Sequence, residues 1–383
     1  MSTVMNNDRL KNYLQQAFEK ADITLNGDAP HDIQIRDERA IQCIISNNSL
    51  GLGESYMEGW WDCEQLDALS YHLCRAAMDK EAGISLMDFL FNLSTRLFNF
   101  QNKQRAWQVA EKHYDLDNQL FQLMLDDTMA YSCGYWADAT TLAEAQTAKY
   151  ALICKKLHLT HQDILLDMGC GWGGLVAYAV EQYGCQAVGI SIAENQISYA
   201  KARYGHLPIQ FYKADYRDIN RYNPGKISFT KLASVGAFEH IGYKNYAPFF
   251  SLMKQQLHPE GLFLLHTIGS NETVTTADRF IHKYIFPNGA LPSMVQIAKS
   301  LESLFIVEDW HNFGADYDYT LLAWHQNFEK NWPLLKTRFD TRFYRMWRYY
   351  LLMCAGMFRA RAAQLWQIVL SPDGMKGGYP RIR

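Results

Sequence analysis

An acid followed by closely spaced glycines marks the stretch of this chain best suited to binding a ligand. The apolar run Ile164–Met168 contains Asp167 and leads into Gly169, Gly171 and a Gly-Gly pair. This pattern predicts a buried strand, a tight turn and the start of a helix. Glycines in such a turn let a ligand approach backbone N–H groups at the mouth of an open α/β sheet. The arrangement favours a nucleoside-bearing cofactor.

The spacing of these residues distinguishes between nucleoside cofactors. Dinucleotide folds combine Gly-x-Gly-x-x-Gly with an acid that ends the second strand. Here the run reads Asp-x-Gly-x-Gly-x-Gly-Gly, and the next strand, Gln186–Ile190, ends without an acid. The pattern disfavours NAD and resembles the S-adenosylmethionine (SAM) loop of class I methyltransferases, where the acid and glycines face the methionine part of the cofactor. Asp167, Gly169 and Gly171 are therefore predicted to hold SAM.

Polar residues after the next two strands are candidates for binding the nucleoside part of the cofactor. Ser191 and Gln196 start the helix after the second strand, close enough to hydrogen-bond a ribose. Asp215 follows the third strand and could accept from the adenine amino group, with Tyr216 and Arg217 beside it. Each alone is better explained as a helix cap or surface pair. Their shared position favours ligand binding, because open α/β sheets bind ligands at the carboxyl ends of their strands.

A carboxylate and two imidazoles are predicted at the same edge of the sheet. Glu239 and His240 follow the fourth strand, and His266 ends the fifth. A buried acid beside a histidine can act as a base, hold a small anion with help from backbone N–H groups, or form a satisfied ion pair. The residues alone leave these three roles open.

Alternating strands and helices surround these candidates. A helix is predicted over Leu142–Leu157, and His258–Gly261 (His-Pro-Glu-Gly) is predicted to break the chain before the fifth strand. The predicted strands are Ile164–Met168, Gln186–Ile190, Ile209–Tyr212, Ile227–Val235, Leu262–Thr267, Phe305–Glu308 and Leu365–Leu370. This alternation predicts an α/β fold with a doubly wound, mainly parallel seven-stranded sheet and helices on both faces.

Length, charge and cysteine usage narrow the class of protein. A chain of 383 residues favours two domains. A net charge of −3 with 20% charged residues argues against a nucleic-acid partner. Eight cysteines without Cys-x-x-Cys spacing predict cytosolic free thiols and no metal site. The N-terminus lacks the apolar core of a secretory signal, and no run approaches the ~20 apolar residues of a membrane span.

Residues 1–80 predict a small α+β domain ahead of the sheet. A helix, a short strand near Ile33–Ile35, a helix from Asp37 and the turn-rich stretch Ser49–Trp61 follow one another. Packing through Trp60 and Trp61 is the favoured interpretation of that stretch, and lipid binding or dimerisation the predicted role of the domain. Residues 81–108 predict an amphipathic linker helix, whose apolar face edged by basic residues suits a bilayer interface or an inter-domain contact equally. The catalytic domain would occupy residues 109–383.

Longer motifs extend the resemblance from a cofactor class to a family. They are Leu50–Trp61, Tyr131–Trp136, Asp167–Gly174, Asp215–Asp218, Gly236–His240, Leu264–Ser270, Lys283–Gly289, Asp309–Gly314 and Cys354–Ala360. These stretches closely resemble the cyclopropane-fatty-acyl-phospholipid synthases of the mycolic acid cyclopropane synthase family. They cover nearly the whole chain and are far more specific than the glycine loop alone.

The resemblance implies methyl transfer from SAM to a cis double bond of an acyl chain in a membrane phospholipid, then proton loss and closure of a cyclopropane ring. Tyr131 and Ser132 would join the cofactor-binding residues. Bicarbonate is the base expected in the family, and its contacts would fall on Cys133, Glu239, His266, Tyr317 and the backbone at Ile268. Methyl addition to an alkene leaves a carbocation, so the site must be dry and lined by aromatic rings.

Cys354 matches a cysteine once given an active-site role in the family. It is retained as a candidate, although an alkene requires no enzyme nucleophile and a structural role is favoured. Two alternative functions stay open: a related SAM-dependent lipid methyltransferase that stops at a methyl branch, and a non-catalytic lipid-binding scaffold. The intact glycine loop together with Glu239, His266 and Tyr317 argues against the scaffold.

The implied substrate also predicts where the protein works. Its double bond lies inside the bilayer while SAM lies in water, so a cytoplasmic protein, peripheral on the inner face of the cytoplasmic membrane, is expected, as a homodimer. Besides the linker helix, Lys336–Arg348 interleaves basic and aromatic residues, a pattern that anionic lipid attracts. The alternative for this segment is a helix whose arginines are solvated and whose rings face the protein core.

Overall fold

The computed structural model describes residues 7–78, 118–223, 228–275 and 277–383, which form two compact units. The helical unit contains residues 7–78, 277–287 and 321–363, and the sheet unit contains the other described residues. Neither unit is contiguous along the chain. The predicted linker helix 81–108 lies outside the described residues, so the linker and the boundaries at residues 80 and 108 stay predictions.

Helices and strands alternate along most of the chain. The helices are α1 (Asn7–Glu19), α2 (Arg39–Met57), α3 (Leu66–Met78), α4 (Asn118–Met124), α5 (Leu142–Lys156), α6 (Gly174–Tyr183), α7 (Glu194–Tyr204), α8 (Ile219–Tyr222), α9 (Tyr246–Gln256), α10 (Met294–Leu301), α11 (Asp316–Leu335) and α12 (Thr341–Arg359). The strands are β1 (Gln34–Ile35), β2 (Trp61–Asp62), β3 (Ile164–Met168), β4 (Gln186–Ser191), β5 (Ile209–Lys213), β6 (Phe229–Val235), β7 (Leu257–Ser270), β8 (Ile306–Asn312) and β9 (Ala363–Ser371).

The sheet unit is built on a seven-stranded sheet in the order β5-β4-β3-β6-β7-β9-β8. The first five strands in this order run parallel, whereas β8 and β9 pair antiparallel. Successive side chains of β3 enter opposite hydrophobic cores: Leu165 lies in one and Leu166 in the other, both fully buried. Helices must therefore cover both faces. The predicted mainly parallel, doubly wound, seven-stranded α/β sheet is confirmed.

The predicted break at His258–Gly261 takes a different form in the structure. Leu257 pairs with Phe229 and Leu262 pairs with Lys231, so the ladder advances two residues on β6 and five on β7. The extra residues form a bulge within β7. The predicted turn-forming residues therefore form a bulge, and β7 continues on both sides of it.

The turn-rich structure predicted over Ser49–Trp61 is wrong. Helix α2 continues to Met57, interrupted at Asn48, whose φ is 50°. Gly53 lies inside the helix, and a Cβ there would collide with the ring of Phe280. Glycine serves close packing at this position rather than a turn.

The adjacent tryptophans differ in their surroundings. Trp61 is fully buried, and its indole N–H donates to the hydroxyl of Ser55 at 3.0 Å. Trp60 is half-buried under the guanidinium of Arg39, which lies 4.5 Å from the ring centroid. Both residues thus make packing contacts within the helical unit, as the sequence interpretation favoured.

The arginines of Lys336–Arg348 make contacts within the helical unit. Arg345 pairs with Asp62 at 2.8 Å, and its guanidinium lies 3.9 Å from the ring centroid of Tyr56. Arg348 donates to the hydroxyl of the same tyrosine. The structure therefore favours packing within the helical unit over a lipid-facing patch, and the predicted solvation of the arginines is wrong for Arg345 and Arg348. Among the described residues, no helix is both long and apolar enough to cross a bilayer.

Candidate active site

The glycine-rich turn follows β3 and leaves part of its backbone accessible. Gly169, Gly171 and Gly173 have φ values of 92°, 53° and 91°, which residues with a Cβ rarely adopt. A Cβ at Gly169 would collide with the side chain of Ala237, whereas one at Gly171 would meet no atom of the described residues within 4 Å. Gly169 thus packs the turn against the segment after β6, and Gly171 leaves room for a ligand at the backbone.

Asp167 lies at the base of this turn in a deeply buried position. It is 2% exposed, and its Oδ1 has no hydrogen-bond partner in the part of the chain that the structure describes. Burial raises the pKa of this carboxyl to about 7, while the charge of Lys149 opposes the rise. A buried acceptor without a partner is costly unless a ligand satisfies it. This fits the predicted contact with SAM.

The predicted nucleoside-binding residues lie at the ends of β4 and β5. Ser191 donates to Oε1 of Gln196 at 2.8 Å, and both are buried. Both carboxylate oxygens of Asp215 accept from the guanidinium of Arg217, each at 2.7 Å. An adenine amino group would therefore share this carboxylate with Arg217. The ring of Tyr216 packs edge-on against a phenylalanine of α9.

Residues 131–134 are held by the buried face of α5. Gln146 donates to the carbonyl oxygen of Ser132 at 2.9 Å, and the ammonium of Lys149 donates to the Ser132 hydroxyl at 2.8 Å. Tyr131 packs edge-on against Phe121, with ring centroids 5.1 Å apart. Helix α5 begins with a capping box in which Thr141 and Glu144 bond reciprocally. The cap fixes the start of the helix that positions Ser132.

Glu239 lies in a 3-10 turn after β6 and faces β7. Its Oε1 accepts from the backbone N–H of Ile268 at 2.6 Å. Its Oε2 is buried and has no hydrogen-bond partner in the described part of the chain. Burial raises the pKa of Glu239 to about 7, although the Ile268 N–H favours the ionised form. Burial lowers the pKa of neighbouring His240 to about 4. A carboxyl that titrates near neutrality suits both proton donation and proton removal.

His266 lies in β7, where it is 1% exposed. Its Nδ1 is 3.3 Å from Nε2 of Gln367, and when this amide donates to Nδ1 the imidazole proton is on Nε2. That Nε2 is buried and lacks a partner among the described residues. Burial, followed by the charges of Lys149 and Lys156, lowers the pKa of His266 well below its usual value. His266 is thus a neutral imidazole with an available N–H donor.

Cys133 lies beside Thr320, and Tyr317 precedes that threonine by three residues in α11. The Cys133 thiol donates to the carbonyl oxygen of Gly134 at 3.2 Å and lies 3.8 Å from the Thr320 hydroxyl. Burial raises the pKa of this thiol well above its usual value, so it stays protonated. Tyr317 lies in the first turn of α11, as does Asp316, and is 8% exposed.

Cys354 lies in α12 of the helical unit, whereas Glu239 and His266 belong to the sheet unit. Burial raises the pKa of its thiol to about 12. A protonated thiol is a poor nucleophile. The structure thus supports the structural role that the chemistry of an alkene substrate favoured.

Several predicted residues of the sheet unit therefore lie at the carboxyl ends of β3 to β6, and His266 lies within β7, as expected for an open α/β sheet. Residues 131–133 and Tyr317 come from other segments, since the first precede α5 and the second begins α11. Three further residues organise them and were missed from sequence: Lys149, Thr320 and Gln367. The hydroxyl of Thr320 accepts from the backbone N–H of Gly134 and the indole of Trp136 at 3.0 and 2.8 Å. The sequence offered one indication of Lys149: it lies three residues after Gln146 in the helix that follows the motif Tyr131–Trp136.

Comparisons with known proteins agree with this geometry. Residues 101–368 match the family described as mycolic acid cyclopropane synthetase. The cyclopropane-fatty-acyl-phospholipid synthase of Escherichia coli K12 is 47% identical over 363 residues, which cover 95% of this chain and 93% of that protein. The structure of the cyclopropane synthase MmaA2 from Mycobacterium tuberculosis has a TM-score of 0.64 and 28% identity, covering 69% of this chain and 97% of its own.

A second solved structure bears on the cofactor. Mycolic acid cyclopropane synthase CmaA1, complexed with SAH and CTAB, has a TM-score of 0.64 at 30% identity over 69% of this chain and 97% of its own. SAH is the product that a methyl donor of the SAM type leaves. By its sequence, its sheet and its glycine-rich turn, the chain belongs to the mycolic acid cyclopropane synthetase family and is a SAM-dependent methyltransferase.

Proposed function

We propose that this protein transfers a methylene group from SAM to the cis double bond of unsaturated acyl chains in membrane phospholipids and forms a cyclopropane ring. The observation that carries the proposal is the buried pair of Glu239 and His266, each with a polar atom available, on the sheet edge that holds the glycine loop. The 47% identity to an enzyme named for fatty-acyl phospholipids supports the substrate class.

SAM supplies an electrophilic methyl group when it is bound. Asp167 and the glycine turn would hold its methionine part, and Ser191 and Gln196 its ribose. Addition of the methyl group to one alkene carbon leaves a positive charge on the other. Loss of one proton from the added methyl then closes the ring, so that the acyl chain gains one CH₂ and the reaction releases SAH and a proton.

A bicarbonate ion held by Glu239 and His266 would supply the base for that proton. The Nε2–H of His266 can donate to an anion, and Glu239 can donate from Oε2 in its protonated form. Two other predicted contacts are engaged within the protein: the Ile268 N–H donates to Glu239, and the Cys133 thiol donates to Gly134. We therefore assign the main contacts with the anion to Glu239 and His266, with Tyr317 as a candidate beside them.

Burial of the site suits the reaction. A carbocation is consumed by water, so the acyl chain must react where water is excluded. Cys133, Glu239 and His266 are all less than a tenth exposed. His266 also packs edge-on against Phe313, with ring centroids 5.8 Å apart. An aromatic ring beside the imidazole can stabilise positive charge without reacting with it.

The location of the substrate bond leads to a further part of the proposal. The enzyme would act from the cytoplasm as a peripheral protein on the inner face of the membrane, and as a homodimer. The segment 81–108 stays the candidate for contact with lipid. Its alternative, an inter-domain helix, is equally compatible with its sequence.

Analysis of the lipid product tests the proposed function. The purified protein is incubated with SAM and vesicles of unsaturated phospholipid, and the acyl chains are examined by mass spectrometry and proton NMR. A gain of one CH₂ with the upfield signal of cyclopropane protons is expected. A gain without that signal would show a methyl-branching enzyme, and the absence of any gain with intact SAH binding would overturn the proposal.

Removal of bicarbonate tests the base. Activity in carbon-dioxide-free buffer should fall and return when bicarbonate is added. Glu239→Ala and His266→Ala should lower turnover and leave the affinity for SAH largely unchanged. Activity indifferent to bicarbonate would remove the anion from the mechanism and leave Glu239 as the direct base.

A further inference from the structure

Helix α5 buries an ammonium group next to the site. Lys149 is 1% exposed, and its Nζ donates to the hydroxyl of Ser132 at 2.8 Å and to Oε1 of Gln146 at 2.6 Å. Gln146 is fixed in turn, because its Nε2 donates to the Ser132 carbonyl oxygen at 2.9 Å. The Nζ also lies 4.7 Å from the ring centroid of Tyr150. The position of the ammonium is therefore set by neutral groups.

No carboxylate among the described residues lies within salt-bridge distance of Lys149, although the charges of Asp126 and Asp167 act on it from farther away, and no hydrogen bond engages its third N–H there. Removing a charge from water costs several kcal/mol unless an opposite charge compensates it. The other buried lysine of the same helix shows the usual solution: Lys156 pairs with Asp309 at 3.2 Å. The lack of an anionic partner thus distinguishes Lys149 from its neighbour two turns along the helix.

The surroundings of Lys149 point toward the site. Ser132, which accepts its hydrogen bond, is a predicted SAM-binding residue. The charge of Lys149 is also felt at Asp167 below the glycine turn, at His266 and at Cys133. The hydrogen bond to Ser132 thus places the ammonium beside a predicted SAM-binding residue, and its charge acts on residues of the proposed bicarbonate site.

We propose that Lys149 is an anion-binding residue of the reaction, and that the buried ammonium accepts a carboxylate-type anion as its missing partner. Two sources share this chemistry: the methionine carboxylate of SAM and bicarbonate. The inference rests on the proposed function for the second source only, since SAM binding follows from the family. In either case Gln146 and Ser132 orient the ammonium, and its third N–H contacts the anion.

Binding of two adenosine ligands distinguishes the sources. Lys149→Met keeps the length and apolar stem of the side chain and removes the charge. The dissociation constants of SAH and of 5′-methylthioadenosine, which lacks the amino-acid part, are measured by calorimetry. If Lys149 binds the methionine carboxylate, the variant should bind SAH on the order of tenfold to a hundredfold more weakly, as expected for a lost charge-assisted hydrogen bond, with affinity for methylthioadenosine unchanged.

If Lys149 instead binds bicarbonate, both adenosine ligands should bind the variant as they bind the wild type, and the bicarbonate concentration for half-maximal activity should rise about tenfold or more. Lys156→Met is the matched control for SAH binding, because it removes a buried lysine from the same helix whose charge is already paired, and it should leave the affinity for SAH unchanged. Thermal unfolding of each variant checks that it is folded. Unchanged SAH affinity together with unchanged bicarbonate dependence in Lys149→Met would overturn the inference. If the wild type makes no cyclopropane lipid but binds SAH, the proposed function fails and the calorimetric test of Lys149 still stands.

Discussion

Replacing Glu239 by Gln should remove a pH-dependent loss of stability from the fold. In the wild type, Oε1 accepts from the Ile268 N–H at 2.6 Å while Oε2 is buried without a partner in the described residues. Burial raises the pKa of this carboxyl from 4.5 to about 7. A glutamine keeps an acceptor for the Ile268 N–H and cannot ionise. The local structure should therefore persist while the titration disappears.

The sign and size of the effect follow from linkage between protonation and folding. A carboxyl with a raised pKa binds more protons in the folded state, so its contribution to the free energy of unfolding is full below the unfolded pKa and is lost as pH rises through the folded value. A change in pKa from 4.5 to about 7 corresponds to a loss on the order of 3 kcal/mol. Asp167 adds a loss of the same sign, because burial raises its pKa from 3.8 to about 7.

Urea denaturation of the cofactor-free protein at about pH 5 and about pH 8 measures the effect. The wild type should lose stability between the two, and Glu239→Gln should lose less by ~2 kcal/mol, the part of the effect within that window. Glu194→Gln is a suitable control, since this exposed carboxylate pairs with Lys213 and its pKa is lowered instead. If Glu239→Gln loses as much stability as the wild type, Glu239 is not a buried acid with a raised pKa.

Two further substitutions test separate parts of the molecule. Gly171→Val should bind SAH at least tenfold more weakly than the wild type, because a branched side chain would fill the space beside the turn. Gly377→Val controls for backbone strain, since Gly377 has a φ of 84° and equally open surroundings. Equal SAH affinity in both variants would exclude the turn as the cofactor site. Arg345→Gln should lower the free energy of unfolding by about 1–3 kcal/mol, because it breaks the contacts with Asp62 and Tyr56. The folded Arg345→Gln variant should bind anionic vesicles as the wild type does. Weaker vesicle binding without any loss of stability would instead show that this segment faces lipid.

Much of the sheet could be predicted because its pattern is local. The run Ile164–Met168 is buried on both faces, so it is apolar apart from Asp167 and ends at its glycines, and the structure gives β3 the same bounds. Gly53 shows where local reading fails. A glycine in a sequence can indicate either a turn or a position where another side chain packs closely against the backbone. At Gly53 the second applies, because the ring of Phe280, more than two hundred residues away, packs there.

The candidate site divides in the same way. Residues that follow strands, such as Glu239 and Ser191, could be found because parallel strands bring their carboxyl ends to one edge. Lys149 and Gln367 could not, since a lysine in a helix or a glutamine in a strand usually faces solvent. Their roles depend on partners from distant segments: Ser132 for Lys149, and His266 for Gln367. Such pairs are set by tertiary packing, which single-sequence patterns do not contain.

The protonation states of the site bear on how a carbocation would survive in it. An ionised carboxylate beside the positive carbon could add to it and end the reaction as an ester, whereas a protonated acid is a much weaker nucleophile. Burial raises the pKa values of Asp167 and Glu239 to about 7, and it keeps His266 neutral and the Cys133 thiol protonated. With a pKa of about 7, Glu239 can donate from Oε2 to the proposed anion in its protonated form, and it can remove the proton itself in its ionised form. Burial of the site is thus compatible with a bound base and with Glu239 itself as the base, and the dependence of activity on bicarbonate distinguishes the two.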